Sequence, residues 1–181
     1  DADNAFNRAN RKVILHNIQH VCPIFKFALI NTYRVPSRIF VLGGWELPSQ
    51  EGTTQGCPLA MAMYALAIVP LVGQLHGLCK QVWFADDGTG AGKLQELRKW
   101  WDKLLEKGPA YGYFPKPSKT WLIVKEAELE EAKRIFAGTG VQFTSTGMRH
   151  LGAAIGSDEF KERYLQKKIT EWIANVKALA R

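Results

Sequence analysis

The feature that most constrains the fold is an uncharged stretch in the middle of the chain. From Gly52 to Cys79 there is no Lys, Arg, Asp or Glu, and the part from Pro58 to Gly73 is mostly apolar. Such a segment must be buried, either in a protein core or in a membrane. Its apolar part is near the lower length limit of a membrane span and has prolines near both ends. A buried core helix is therefore the favoured interpretation, and no membrane partner is expected.

Further elements are predicted on both sides of this helix from hydrophobic periodicity and turn residues. Helices are predicted at 7–20, 24–33, 93–107, 126–136 and 158–181, and strands at 38–42, 45–47, 81–85, 89–91, 119–124, 141–144 and 149–154. Asp3 or Asn4 is the expected cap of the first helix. Asp86-Asp87-Gly88 is the expected tight turn between two strands. Because helices and strands are mixed without strict alternation, the predicted fold class is α+β.

Composition indicates a globular protein with a polyanionic partner. The 181 residues are 46% hydrophobic and 23% charged, which excludes a disordered chain, and they carry a formal net charge of +7. This charge favours nucleic acid as partner, ahead of an acidic membrane surface. Cys22, Cys57 and Cys79 have no zinc-binding spacing. We interpret them as reduced core thiols of an intracellular protein, in the cytoplasm or the nucleus.

The residues most suited to chemistry are Asp86 and Asp87. Two adjacent carboxylates after an apolar strand are costly unless a cation or solvent compensates their charge. An exposed Asp-Asp-Gly turn without a ligand is the alternative interpretation. Four further motifs occur in a fixed order around this pair, namely Asp1-Ala2-Asp3-Asn4-Ala5-Phe6, Gly52-Thr53-Thr54-Gln55-Gly56-Cys57-Pro58-Leu59, Pro117-Ser118-Lys119-Thr120 and Arg149-His150-Leu151-Gly152.

Together the five motifs resemble the palm of reverse transcriptases, the RNA-directed DNA polymerases of retroelements such as retrotransposons. The resemblance implies a polymerase palm over residues 1–157, with a central antiparallel sheet packed on helices. It also implies that residues 158–181 begin a helical thumb. The fingers of this family precede the first aspartate, and the sequence opens at Asp1 without a Met. We therefore expect a fragment of a longer protein from which the fingers are missing.

The resemblance implies a two-magnesium active site. DNA synthesis requires two divalent ions about 4 Å apart, one at the primer 3′-hydroxyl and one at the triphosphate. By the resemblance, Asp1 and Asp86 bridge two Mg²⁺ ions, for which Mn²⁺ can substitute, and Asp87 is a supporting metal ligand. Lys119 corresponds to the lysine proposed to protonate the departing pyrophosphate. A solvated surface charge is the plainer interpretation of this lysine.

A nucleotide-binding set is implied as well. Phe6 resembles the aromatic gate that leaves no room for a 2′-hydroxyl, and a plain core phenylalanine is its alternative. Gln55 and Gly56 match the loop beneath the incoming nucleotide and the template. Ala2 and Asp3 complete the predicted set, although a helix cap explains Asp3 equally well.

The implied function is template-directed DNA synthesis from deoxynucleoside triphosphates on a primed RNA or DNA template. We expect the 181-residue chain alone to be inactive, because the fingers and the strand that positions Asp1 are missing. Three alternatives remain open: an RNA-dependent RNA polymerase palm, a non-catalytic nucleic-acid-binding descendant of a polymerase, and a basic globular domain unrelated to polymerases. The sequence gives no indication of the oligomeric state.

The last predicted helix is rich in basic residues. If it begins a thumb, these side chains follow the phosphates of a duplex, although a solvated helix face accounts for them equally well. The residues concerned are Lys161, Arg163, Lys167, Lys168, Lys177 and Arg181.

Overall fold

The computed structural model describes residues 2–54 and 56–180. The chain divides into two compact units, one up to Lys116 and one from Pro117 onward, and each is described by itself. Both units contain helices and strands, so the predicted α+β class is confirmed. The assignment of residues 1–157 to a palm and of 158–181 to a thumb stays a prediction.

The first unit contains most of the core. Its helices are α1 (Ala5–Arg8), α2 (Arg11–Val21), α3 (Lys26–Tyr33), α4 (Ala60–Gln74) and α5 (Leu94–Lys107). Its strands are β1 (Ser37–Val41), β2 (Trp45–Ser49), β3 (Lys80–Phe84) and β4 (Asp87–Ala91). Strand β1 forms an antiparallel hairpin with β2, and β3 forms another with β4. Short 3₁₀ turns occur at Pro23–Phe25 and Gly108–Tyr111.

Helix α4 is the central core element, as the uncharged stretch predicts. It buries six side chains and packs against α2, whose Ile14 and Ile18 are also buried. Pro70 lies inside α4 and cannot donate to the carbonyl of Leu66, four residues earlier. The side-chain amide of Asn17 on α2 donates to that carbonyl instead, at 2.6 Å. The two helices are therefore joined at the one point where α4 lacks its own hydrogen bond.

The predicted continuous helix over 7–20 is wrong, because the chain bends between α1 and α2. The N–H of Asn10 donates to the carbonyl of Tyr111 at 3.1 Å instead of continuing the helix. The side chain of Asn10 then caps α2 by accepting from the N–H of Val13 at 3.1 Å. The bend lets α1 and α2 face different neighbours.

The second unit contains strands β5 (Trp121–Ile123), β6 (Gln142–Thr144), β7 (Gly147–His150) and β8 (Ala153–Gly156), with helices α6 (Leu129–Ile135) and α7 (Asp158–Leu179). Strands β5 and β6 are parallel, and α6 lies between them in the chain. The predicted strand over 149–154 is wrong, since Leu151 and Gly152 form a turn with φ of +47° and +85° between β7 and β8. Helix α7 begins where predicted.

A central antiparallel sheet was expected, but the described strands pair only in twos, in four separate sheets. The nearest approach to a further strand is a single antiparallel bridge between Ala2 and Pro115. Proline has no N–H, and a second proline follows at position 117. A regular ladder cannot extend along this segment for that reason.

Over residues 2–54 and 56–180, no helix combines the length and the apolar character needed to cross a lipid bilayer.

Candidate active site

Asp86 and Asp87 lie at the tip of the β3–β4 hairpin. Phe84 pairs with Asp87, so the turn consists of Ala85 and Asp86. The predicted turn at Asp86-Asp87-Gly88 is therefore displaced by one residue, because Asp87 is already the first residue of β4. Ala85 has a φ of +53°, in the left-handed region that costs a non-glycine residue about 1–2 kcal/mol. Strain of this kind is typical of sites where the position of a side chain matters.

One face of the hairpin rests on a partly buried polar network. The Gln81 side-chain oxygen accepts from the indole N–H groups of Trp83 at 3.1 Å and Trp100 at 3.0 Å. The Gln81 side-chain nitrogen donates to the carbonyl of Val72 on α4 at 3.0 Å. A single glutamine thus fixes β3 to both α4 and α5.

Tyr113 supports the turn directly. It is 2% exposed, and its hydroxyl donates to the backbone carbonyl of Asp86 at 2.9 Å. Its ring meets that of Trp83 edge-on, with centroids 5.4 Å apart. The position of Asp86 is therefore set by a residue that is distant in the sequence.

Phe6 stacks on a second buried tyrosine, Tyr64 of α4. The two ring centroids are 4.7 Å apart and the ring planes meet at 28°. Burial raises the pKa of Tyr64 most, followed by electrostatic interactions with Tyr113, Asp86 and Asp87. Burial, followed by the negative charges of Asp86 and Asp87, raises the pKa of Tyr113. Both phenols therefore remain protonated near the paired carboxylates. Phe6 contacts one of them, Tyr64.

The segment that follows Asp1 docks beside Tyr113. Ala2 is buried and forms its bridge with Pro115, and the N–H of Asp3 donates to the carbonyl of Phe114 at 2.8 Å. Asp1 itself lies outside the described residues, so its predicted convergence with Asp86 stays a prediction.

Asp3 makes ion pairs and does not cap a helix. Its carboxylate accepts from Arg8 at 2.9 Å and from Lys116 at 3.1 Å. The hydrogen bond and charge of Lys116, more than those of Arg8, hold the pKa of Asp3 below its ordinary value. Asn4 occupies the N-cap position of α1, without a side-chain cap hydrogen bond. Asp3 thus ties the start of the chain to residue 116.

Gly52 and Thr53, which precede Gln55 and Gly56, also pack on this N-terminal segment. The N–H of Thr53 donates to the carbonyl of Phe6 at 2.8 Å, and the N–H of Gly52 donates to that of Ala9 at 2.9 Å. Gly52 has a φ of +70°, and any side chain there would collide with the carbonyl oxygen of Phe6. Gly56 also has a positive φ, +84°, with open space around it. Gln55 lies outside the described residues.

Lys119 belongs to the second unit. It is exposed and ends a 3₁₀ turn, Pro117–Lys119, that precedes β5, whereas a strand was predicted to begin at this residue. In α7, Lys161 pairs with Asp158 at 2.7 Å and Lys168 with Glu171 at 2.5 Å. Two of the six basic residues expected to follow a duplex are thus engaged within their own helix.

The carboxylates of Asp86 and Asp87 are chemically suited to bind a hard divalent cation. Asp86 and Asp87 are adjacent carboxylates, and carboxylate oxygens are ligands that Mg²⁺ and Mn²⁺ prefer. Over residues 2–54 and 56–180, no group of three or more His, Cys, Asp or Glu side chains could hold a metal ion. A complete site would need a further donor, and Asp1 is the predicted one.

Three residues of this region escaped sequence analysis, namely Arg11, Tyr64 and Tyr113. Tyr64 carries a weak signal, because it is the single aromatic residue in the apolar run from Pro58 to Gly73. Tyr113 lies in a loop rich in Gly, Pro and Tyr, and Arg11 resembles an ordinary surface residue of an amphipathic helix. Their partners are distant in the sequence, so no local pattern identifies them.

Comparison with known proteins adds no assignment, since no protein-family model matches the chain and no curated protein matches its sequence.

Proposed function

We propose that this chain is the catalytic palm of a reverse transcriptase, which joins deoxynucleotides to a primer on an RNA or DNA template in the cytoplasm or nucleus. The observation that carries the proposal is the β3–β4 hairpin, which holds Asp86 in a strained two-residue turn and Asp87 directly after it. The segment after Asp1 docks on Phe114 and Pro115, next to the Tyr113 that supports the hairpin, and the loop before Gln55 docks on Phe6 and Ala9. The order of the five motifs adds support that is independent of this packing.

In the proposed mechanism, Asp86 and Asp87 would hold divalent metal together with Asp1. Bound Mg²⁺ supplies activation of the primer hydroxyl and neutralisation of phosphate charge. Tyr113 fixes Asp86 by donating to the backbone carbonyl of Asp86, and the hydrogen bonds of Gln81 hold β3 against α4 and α5. Lys119 is the proposed proton donor to the leaving pyrophosphate.

Phe6 is the proposed determinant of sugar selection. Its ring is held by the stack with Tyr64, so it cannot easily yield to a 2′-hydroxyl. This feature favours a DNA polymerase over the RNA polymerase alternative. Ala2, Asp3, Gln55 and Gly56 are proposed to shape the rest of the nucleotide site.

Metal binding by the 181-residue chain tests the proposal. We expect Asp86→Asn to weaken Mn²⁺ binding by at least roughly tenfold, since one carboxylate ligand is lost. The matched control is Asp102→Asn, because Asp102 is a surface carboxylate of α5 paired with Arg98. Titration of each variant with Mn²⁺, followed by electron paramagnetic resonance, measures the affinities. Equal binding by wild type and Asp86→Asn would remove the metal site and favour the non-catalytic alternative.

Primer extension by the full-length protein that contains residues 1–181 tests the activity itself. Asp86→Asn is expected to abolish synthesis, and Phe6→Val is expected to raise the use of ribonucleotides relative to deoxynucleotides. The isolated chain is expected to remain inactive. Preference of the wild-type protein for ribonucleotides would select the RNA polymerase instead.

A further inference from the structure

Arg11, the first residue of α2, is a buried cation. It is 4% exposed, and its guanidinium donates only to oxygens of residues 49–52 among the contacts of the described chain. It reaches the carbonyls of Ser49 at 2.7 Å and Glu51 at 2.8 Å. Two of its nitrogens share the carbonyl of Gly52, each at 3.1 Å. One side chain therefore binds three backbone carbonyls of the same loop.

The surroundings of Arg11 explain why this position requires arginine. Burial lowers the pKa of Arg11, and the charge of Glu51 acts in the opposite direction. A guanidinium nevertheless remains protonated and offers five donors in one plane, whereas a lysine ammonium would lose its proton more readily on burial. The N–H of Arg11 itself donates to the Glu51 carboxylate at 3.0 Å. Arg11 thus binds the loop through both its backbone N–H and its side chain.

The loop that Arg11 binds is the stem of the segment bearing Gln55 and Gly56. At the end of the clamped residues, the N–H groups of Gly52 and Thr53 donate to the carbonyls of Ala9 and Phe6. Tyr33 completes the arrangement, because its ring lies 5.2 Å from the guanidinium and its hydroxyl accepts from the N–H of Thr54 at 3.4 Å. Phe6 and the stem are therefore in direct backbone contact at the point that Arg11 immobilises.

We propose that Arg11 is a positioning residue of the nucleotide site: it holds the 49–52 stem so that Gly52 and Thr53, which lead into the predicted nucleotide loop, keep a fixed place beside Phe6. Arg11 touches no reacting atom and acts through the loop. The inference rests on the proposed function, since it assigns the loop to the incoming deoxynucleotide. Loss of the clamp would release the loop while leaving Asp86, Asp87 and their supporting network intact.

The structural part of the proposal is tested on the 181-residue chain, without any reference to polymerase activity. Amide hydrogen exchange is measured at Gly52 and Thr53 in wild type, Arg11→Gln and Arg11→Lys. We expect exchange at these two amides to be roughly tenfold faster in Arg11→Gln, with an intermediate rate in Arg11→Lys and unchanged protection across α4. Arg98→Gln, which removes a surface arginine of α5, is the control and should leave both amides unchanged.

The functional part is tested in the full-length protein by steady-state kinetics of nucleotide incorporation. Arg11→Gln is expected to raise the KM for deoxynucleotides by roughly tenfold or more with a much smaller change in kcat, and Arg11→Lys to restore part of the loss. A residue that only stabilised the fold would lower the amount of active enzyme without moving KM.

The outcomes separate the two proposals. Wild-type exchange at Gly52 and Thr53 in Arg11→Gln overturns the clamp, and so does a KM that stays at the wild-type value. If Arg11→Gln does not fold, Arg11→Lys decides by the same two measurements. A full-length protein that shows faster loop exchange in Arg11→Gln but no DNA synthesis in wild type overturns the proposed function and leaves the clamp standing.

Discussion

Two buried tyrosines near the paired aspartates differ in what their hydroxyls do. The Tyr113 hydroxyl donates to the carbonyl of Asp86, whereas the Tyr64 hydroxyl has no hydrogen-bond partner among the described residues. Burying a hydroxyl without a partner costs about 1–3 kcal/mol, and a made hydrogen bond contributes about 1 kcal/mol. The same substitution should therefore have opposite effects at the two positions.

We expect Tyr64→Phe to leave the free energy of unfolding unchanged or to raise it by about 1 kcal/mol, because the stack with Phe6 is kept. Tyr113→Phe serves as the matched comparison and should lower it by about 1 kcal/mol. Urea unfolding of both variants measures the difference. A clear loss of stability in Tyr64→Phe would mean that the Tyr64 hydroxyl makes a stabilising hydrogen bond.

Asp3 should make the stability of the chain sensitive to acid. Its pKa in the folded chain lies below the ordinary value of 3.8, chiefly because of Lys116. A depressed carboxyl pKa contributes stability above the unfolded pKa, and this contribution is lost as the pH falls through the folded pKa. Asp3→Asn should therefore be less stable than wild type at neutral pH, with a difference that disappears as the pH falls through the lowered pKa of Asp3 in the folded chain.

Urea midpoints of wild type and Asp3→Asn between pH 7 and pH 2 measure this effect. Lys116→Gln removes the cationic partner of one Asp3 ion pair and should also lower the stability of the chain at neutral pH. A difference between wild type and Asp3→Asn that stays constant down to pH 2 would show that the carboxylate charge is not what stabilises this segment.

At the scale of elements, the hairpin that presents Asp86 carries strain at Ala85. Ala85→Gly removes the cost of a positive φ, about 1–2 kcal/mol, but adds about 0.5–1 kcal/mol of chain entropy in the unfolded state. We expect a net gain in unfolding free energy of up to about 1 kcal/mol. Ala91→Gly in β4 is the control, since it lacks the positive φ and should lose about 0.5–1 kcal/mol.

Urea unfolding of the two variants measures both values. If Ala85→Gly loses as much stability as Ala91→Gly, the turn is not strained and Asp86 is not held by backbone conformation. Ala85→Val should have a lower free energy of unfolding than either variant, because a β-branched residue tolerates positive φ poorly.

Element types were largely predictable from the sequence, and the errors have a common physical cause. Periodicity correctly predicted α4, α5 and α7, because each depends on an apolar pattern within the element itself. The mistakes fall where a backbone group finds a distant partner, as at Asn10, or where a residue adopts positive φ, as at Ala85 and Leu151. Sheet assembly was the least predictable, because it depends on long-range pairing that proline at position 115 prevents.

For the molecule as a whole, the carboxylates of the candidate site could be found from the sequence. The residues that hold the candidate site in place could not. Asp86 and Asp87 are visible as adjacent charges after an apolar strand. Tyr113 and Arg11 act on residues that are distant in the sequence, at Asp86 and at Ser49 to Gly52. Such contacts follow from the packing of the first unit, so a structure was needed to identify them.

The first unit should therefore contain everything that holds the hairpin in place. Its aromatic cluster of Trp83, Trp100 and Tyr113 lies entirely before residue 117. We expect residues 1–116 alone to retain the near-ultraviolet circular dichroism that these packed rings produce. Residues 1–107 are the matched control: they keep α1 to α5 but lack Tyr113 and the segment that pairs with Ala2.

The shorter fragment should lose the near-ultraviolet signal while keeping most of its far-ultraviolet helical signal, because the helices remain but the rings lose their fixed packing. Comparing the two fragments thus isolates the contribution of residues 108–116. A native-like signal from residues 1–107 would show that the hairpin needs no support from Tyr113. Loss of the signal from residues 1–116 would show instead that the hairpin depends on the second unit, and the site would then have to be sought in the whole chain.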